Sequence, residues 1–92
     1  MTARVVWDRG GEATIVALDV HGTTDGVRLV STTPAPPGAR VTGQLADAAG
    51  NAHALRFKIH GSKRREDGAF DLEGRMVDLR KELRAIIRAL IA

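Results

Sequence analysis

The sequence predicts an all-β domain finished by one helix: a small six-stranded antiparallel β-barrel flanked by a C-terminal amphipathic α-helix. Three observations carry this. Apolar and polar residues alternate with period two along most of the chain, as in strands with one buried face. The alternating runs are separated by turns rich in glycine, proline and aspartate. Near the C-terminus the period changes to about 3.6 residues, that of an amphipathic helix. Ninety-two residues hold one core, so residues 1–92 form a single domain, with strands over about 3–77 and the helix over about 78–91.

The elements follow in order. Val5 and Trp7 alternate with Val6 and Asp8 ahead of the Gly10-Gly11 turn. Val16, Leu18 and Val20 share one face of the next strand, opposite Ile15, Ala17 and Asp19. HGTTDG reads as a turn in which Asp25-Gly26 supplies the residue that tolerates positive φ. Beyond it Val27 and Leu29 face inward and Arg28 outward. TTPAPPG is a loop, because proline donates no ladder hydrogen bond. A fourth strand over Arg40–Leu45 leads to the turn DAAGN. In the fifth, His53, Leu55, Phe57 and Ile59 alternate with Ala54, Arg56, Lys58 and His60. SKRREDG reads as a polar hairpin loop, and the sixth strand places Phe70, Leu72, Gly74 and Met76 inward.

In the helix, Leu79, Leu83, Ile86, Ile87, Leu90 and Ile91 form one stripe, with Arg80, Lys81, Glu82, Arg84 and Arg88 opposite. Asp78 is placed to cap the first turn. The stripe is wide enough to serve the core and, at Leu90 and Ile91, a contact with a second copy. Closure of the six strands removes exposed edges, which favours a barrel over the alternative, a split sandwich with the helix on one face.

Composition narrows the function. Hydrophobic residues make up 43%, but the only aromatics are Trp7, Phe57 and Phe70, and there is no cysteine. Disulfide scaffolds, thiol nucleophiles and cysteine-ligated zinc are excluded. No apolar run reaches the roughly 18–20 residues of a membrane span, and the start of the chain lacks signal-peptide character, so a cytoplasmic protein is expected. Residues 1–55 carry four Arg against five acids, and residues 56–92 ten Lys or Arg against six. That basic second half suits an anionic partner.

Catalytic chemistry is sparse. Neither Ser31 nor Ser62 lies in a nucleophile-elbow context. His53 and His60, seven residues apart on one strand, point to opposite faces and cannot share a metal. No phosphate-binding or dinucleotide glycine motif is present. No catalytic residue, metal site or cofactor is expected. Lys63, Arg64 and Arg65, with Arg56 and Lys58 on the preceding strand, form a candidate basic patch for a nucleic acid. Inward-facing Phe57 and Phe70 and the neighbouring acids Glu66 and Asp67 weigh against that partner.

Asp19-Val20-His21, followed by Gly26-Val27-Arg28-Leu29, resembles the D-x-S-x-x-G-hydrophobic stretch of PilZ domains. Pro36-Pro37-Gly38-Ala39-Arg40-Val41 resembles the P-x-G-x-x-V that follows it there, and FDLEGRMVDL is similar to the strand leading into the family's C-terminal helix. The pieces are individually weak; their serial order over roughly residues 13–91 makes the resemblance. It implies a bacterial six-stranded signalling barrel that binds cyclic di-GMP and relays the signal to a partner protein. In that family an R-x-x-x-R segment clasps the nucleotide, which suits the planar fork of arginine. Here Arg4 and Arg9 are separated by four residues instead of three, His21 stands for the serine, and Gly26 comes two residues late. The expected function is therefore a non-enzymatic adaptor acting through protein–protein contact, with a degenerate nucleotide site at Arg4, Arg9, Asp19, His21 and Gly26. The alternatives are a cyclic di-GMP receptor of non-standard mode and a nucleic-acid-binding basic barrel.

Overall fold

The period-two runs become strands β1 (Ala3–Trp7), β2 (Glu12–His21), β3 (Thr24–Ser31), β4 (Arg40–Ala46), β5 (Ala52–Arg64) and β6 (Phe70–Met76), followed by helix α1 (Lys81–Ile91). This is a computed structural model, and it describes residues 2–21 and 24–91, without the side chains of Val20, His21 and Thr24. All pairings are antiparallel, and the strands close into a barrel in the order β1-β2-β3-β6-β5-β4. The predicted fold is the observed one.

Inward positions fill the barrel. Val5, Ile15, Leu29, Leu45, Leu55, Phe57, Ile59 and Leu72 are all at most 2% exposed. Trp7 meets Phe57 edge to face, with ring centroids 5.4 Å apart. Gly43, opposite Trp7 on β4, makes room for it: a Cβ there would lie 2.6 Å from Val5 Cγ1 and 2.8 Å from the Val6 carbonyl oxygen. The indole keeps its polar end satisfied, since Trp7 Nε1 donates to buried Ser31 Oγ at 3.0 Å and that hydroxyl donates to the Thr33 carbonyl at 2.7 Å.

Four local expectations are corrected. A β-bulge shifts the β2–β3 register between Ile15 and Ala17. The extra residue is Val16, which stands 52% exposed while Ile15 and Leu18 point inward. Val16 and Leu18 therefore do not share a face. Asp25 and Gly26 are not turn residues, because β3 has already begun and they pair with Val20 and Asp19. Ser62, Lys63 and Arg64 are also strand, and the hairpin turn is confined to Arg65–Gly68, closed by Arg65 N–H to the Ala69 carbonyl at 2.7 Å.

The fourth correction concerns the helix. It starts at Lys81, and its first backbone bond runs from Arg84 N–H to the Arg80 carbonyl. Asp78 does not cap it. That residue has φ 55°, a left-handed conformation that aspartate tolerates better than most, and it redirects the chain between β6 and the helix. Ile87 and Leu90 bury fully, with Leu79, Leu83, Ile86 and Ile91 partly covered beside them, so Leu90 is committed to this chain's own core. Each fully buried aliphatic side chain contributes about 1.5–3 kcal/mol before entropy costs.

Candidate functional site

With the barrel interior filled, recognition falls to the outer face, and the register shows what that face presents. Residues directly opposite on antiparallel strands point to the same side, with Cβ atoms about 4.5–5.5 Å apart. Asp71 lies opposite both Lys63 and Val30, and Glu73 opposite Arg28, so those rows pair opposite charges. One row does not. Arg40 on β4 lies opposite Lys58 on β5, and Lys58 opposite Arg75 on β6. The row continues through Gly26 on β3 to Asp19 on β2. Three cations thus stand side by side, and among the described residues no carboxylate comes within salt-bridge distance of any of them.

The basic patch expected at Arg56, Lys58, Lys63, Arg64 and Arg65 does not form as one surface. The register shift between Ile59 and Gly61 changes the alternation of β5, so Lys63 faces outward opposite Asp71 and Arg64 sits opposite Phe70, on the other side of the sheet. Arg65 is engaged by Asp71 at 3.0 Å and Asp67 at 3.4 Å, and the Asp71 hydrogen bond raises its pKa further above the ordinary arginine value. Arg56 and Lys58 remain outward, Arg56 reaching Asp78 at 3.9 Å. Their neighbours are Arg40 and Arg75, which sequence reading did not single out.

The expected nucleotide residues are also only partly gathered. Asp19 and Gly26 are directly opposed, and a Cβ at Gly26 would lie 3.2 Å from the Asp19 carbonyl oxygen. The His21 side chain lies outside the described residues. Arg4 is on β1, where its guanidinium binds the Glu12 carboxylate, Nε to Oε2 at 3.0 Å. Arg9 is in the β1–β2 turn, beside a crevice of about 200 Å³ that Trp7 and Pro34 also line. Asp19 lies seven residues beyond Glu12 on β2, roughly 23 Å of extended strand from that turn.

Two further polar contacts, one of them an ion pair, organise the end of the barrel covered by α1. Asp25, 6% exposed, accepts two hydrogen bonds from Arg84, from Nε at 2.9 Å and from Nη2 at 3.0 Å. This fork ties the first turn of α1 to β3 and raises the Arg84 pKa. Sequence reading had put Asp25 in a turn and Arg84 on a solvated face. At the β4–β5 turn, the Asp47 carboxylate accepts from Ala49 N, Asn51 N and His53 Nε2, each at 2.9 Å. The His53 hydrogen bond, with help from the two backbone amides, holds the Asp47 pKa at about 2.

Between α1 and β5 runs a groove of about 640 Å³. Leu83 and Ile86 of the helix line it together with Leu79, Ala54 and Val77. Arg56, Asp78, Arg80 and Glu82 form a charged rim. Among the described residues no group of three His, Asp or Glu side chains is placed to hold a metal ion. Among the described residues no helix is long and apolar enough to cross a membrane. Comparison with protein-family models, with curated proteins and with solved structures finds no match to this chain.

Proposed function

We propose that the chain is a PilZ-like, non-enzymatic signalling adaptor that works through contact with another protein, its cyclic di-GMP site being degenerate. The observation that carries this reading is the groove between α1 and β5, where Leu79, Leu83 and Ile86 lie beside charged groups of both signs, the mixture that protein–protein contacts use. The degenerate site is supported by the positions of the two N-terminal arginines. Arg4 is engaged by Glu12, and Arg9 is at the opposite end of β2 from Asp19. A nucleotide clasp needs its guanidiniums converging on one phosphate.

Titration calorimetry with cyclic di-GMP tests this reading. The expected result is no saturable heat in the micromolar range at physiological salt. Micromolar binding that is lost in Arg4→Ala or Arg9→Ala would overturn it and restore the family's ligand mode. A second reading, a receptor of non-standard mode, is favoured by Arg75 standing opposite Gly26 and one strand further from Asp19. It predicts micromolar binding that survives loss of Arg4 and Arg9 and disappears in Asp19→Ala.

A further inference from the structure

We propose that the outward row Arg40–Lys58–Arg75 is a binding site for a compact phosphate-bearing ligand, one that presents a single phosphate or a diphosphate group.

The register brings these residues together. Arg40, Lys58 and Arg75 come from three different strands, so only the β4–β5 and β5–β6 pairings place them in line. Strands are about 4.8 Å apart, so the row is roughly 10 Å long. Like charges directly opposite one another destabilise a sheet, and Lys58 has one on each side. On the neighbouring rows the same barrel pairs Arg28 with Glu73 and Lys63 with Asp71. The uncompensated row is thus a local exception, and a bound anion removes its cost. Two guanidiniums flanking an ammonium supply forked, charge-assisted donors, the geometry that suits phosphate oxygens. Lys58 and Arg75 are half-buried, which screens their interaction with an anion less than at a fully exposed site.

The surroundings set the size of the ligand. Gly26 adjoins Arg75 and has no side chain, leaving a low floor at that end of the row. Beyond it stands Asp19. Glu73 is two residues from Arg75 on the same outward face of β6, and Asp78 lies against Arg56 past the other end of that strand. A long polyanion laid in any of those directions meets a carboxylate. Trp7, Phe57 and Phe70 offer no stacking platform on this face for a single-stranded nucleic acid, because Trp7 and Phe57 are in the core and Phe70 points inward. Acids thus bound the row on three sides, which favours a diphosphate over an oligonucleotide.

The test is thermal unfolding of the full chain in sodium pyrophosphate and in orthophosphate, each against sodium chloride at matched ionic strength. Pyrophosphate is expected to raise Tm by about 4 °C or more at tenfold saturation, with a smaller rise from orthophosphate. Lys58→Met keeps the alkyl stem and removes the central charge. Its Tm without added anion should equal or exceed that of the parent, because the repulsion is gone, and its pyrophosphate response should vanish. Arg75→Gln should weaken the response at least about tenfold in anion concentration, and Lys63→Gln, outside the row, should leave it intact. A pyrophosphate effect no larger than that of chloride, or one retained in Lys58→Met, overturns the proposal. So does an oligothymidylate that stabilises the chain at lower phosphate concentration than pyrophosphate. If Lys58→Met fails to fold, Arg75→Gln and Arg40→Gln decide by the same criterion. The proposal does not rest on the signalling reading: cyclic di-GMP binding that persists in Lys58→Met overturns that reading alone.

Discussion

Replacing Arg84 by methionine should cost far more stability than replacing its partner Asp25 by asparagine, although each change breaks the same ion pair. The Asp25 side chain is 7% exposed and that of Arg84 is 30% exposed. Without Arg84 the carboxylate stays inside the barrel mouth with neither of its two donors. Stranding one partner of a buried pair costs about 3–5 kcal/mol. Water can enter by the opening that Arg84 leaves, which brings the cost below that range, to about 2–3 kcal/mol for the unpaired Asp25 carboxylate. In a domain of this size each kcal/mol is worth about 4–8 °C in Tm, which places the drop near 10–20 °C. Asp25→Asn behaves differently, because asparagine still offers an oxygen to Arg84 and leaves no buried charge. Its cost should be about 1 kcal/mol.

Urea unfolding followed by far-UV circular dichroism measures all three variants, and an unchanged m-value guards against a shift in the unfolded state. The third variant, Asp25→Leu with Arg84→Met, replaces both polar groups by apolar ones of similar size. It should recover to within about 1 kcal/mol of the parent, since hydrophobic replacement of a buried pair is often neutral. An Arg84→Met variant within about 0.5 kcal/mol of the parent would refute this account. So would a double variant no better than Arg84→Met alone, because the loss would then come from packing and not from a stranded charge.

Two other outcomes follow from the same geometry. Ile87, 0% exposed under α1, should cost about 2–4 kcal/mol when cut to alanine, read by the same urea titration; a cost under 1 kcal/mol would mean that α1 is not anchored through it. The Asp47 pKa is depressed from 3.8 to about 2, so its contribution to stability is complete above the unfolded value and disappears as pH falls through the folded one. The Tm difference between parent and Asp47→Asn should therefore shrink between about pH 4 and pH 2, and a difference that stays constant over that window would contradict the assignment.

The fold was legible because it depends on period and punctuation. The alternation of His53–Ile59, the prolines of the β3–β4 connection and the change of period at the C-terminus each survive without knowledge of their partners. What the sequence hides is register. Val16 and His60 mark bulges that move the alternation by one residue, and nothing local distinguishes a bulge at Val16 from an unbroken strand. The first shift exposed Val16; the second turned Arg64 away from the face of Arg56 and Lys58 and set Lys63, on that face, opposite Asp71. Asp25 was misplaced because Asp-Gly is a strong turn signal, and here β3 had already started. Its partner, 59 residues away, cannot be found from chain order. Arg40 and Arg75 fall within the strands that the alternation predicts, but their adjacency to Lys58 exists only once β4, β5 and β6 are paired.

These distinctions bear on where such a small barrel can act. Eight strands enclose an interior just wide enough for side chains to fill, and six enclose less. Phe57, Leu55, Ile59 and Leu72 occupy that space at 2% exposure or below, and α1 covers one mouth through Ile87 and Leu90. No ligand enters a barrel so filled without unfolding it. The residues free to evolve toward recognition are the outward ones, and on a strand they come at every second position. A bulge is then a functional lever as well as a structural irregularity, because moving the alternation by one decides which cations meet across the sheet. The shift between Ile59 and Gly61 sets Lys63 against Asp71, whereas Lys58, ahead of it, stands between Arg40 and Arg75. One inserted residue thus separates a neutralised stretch of β5 from a charged one.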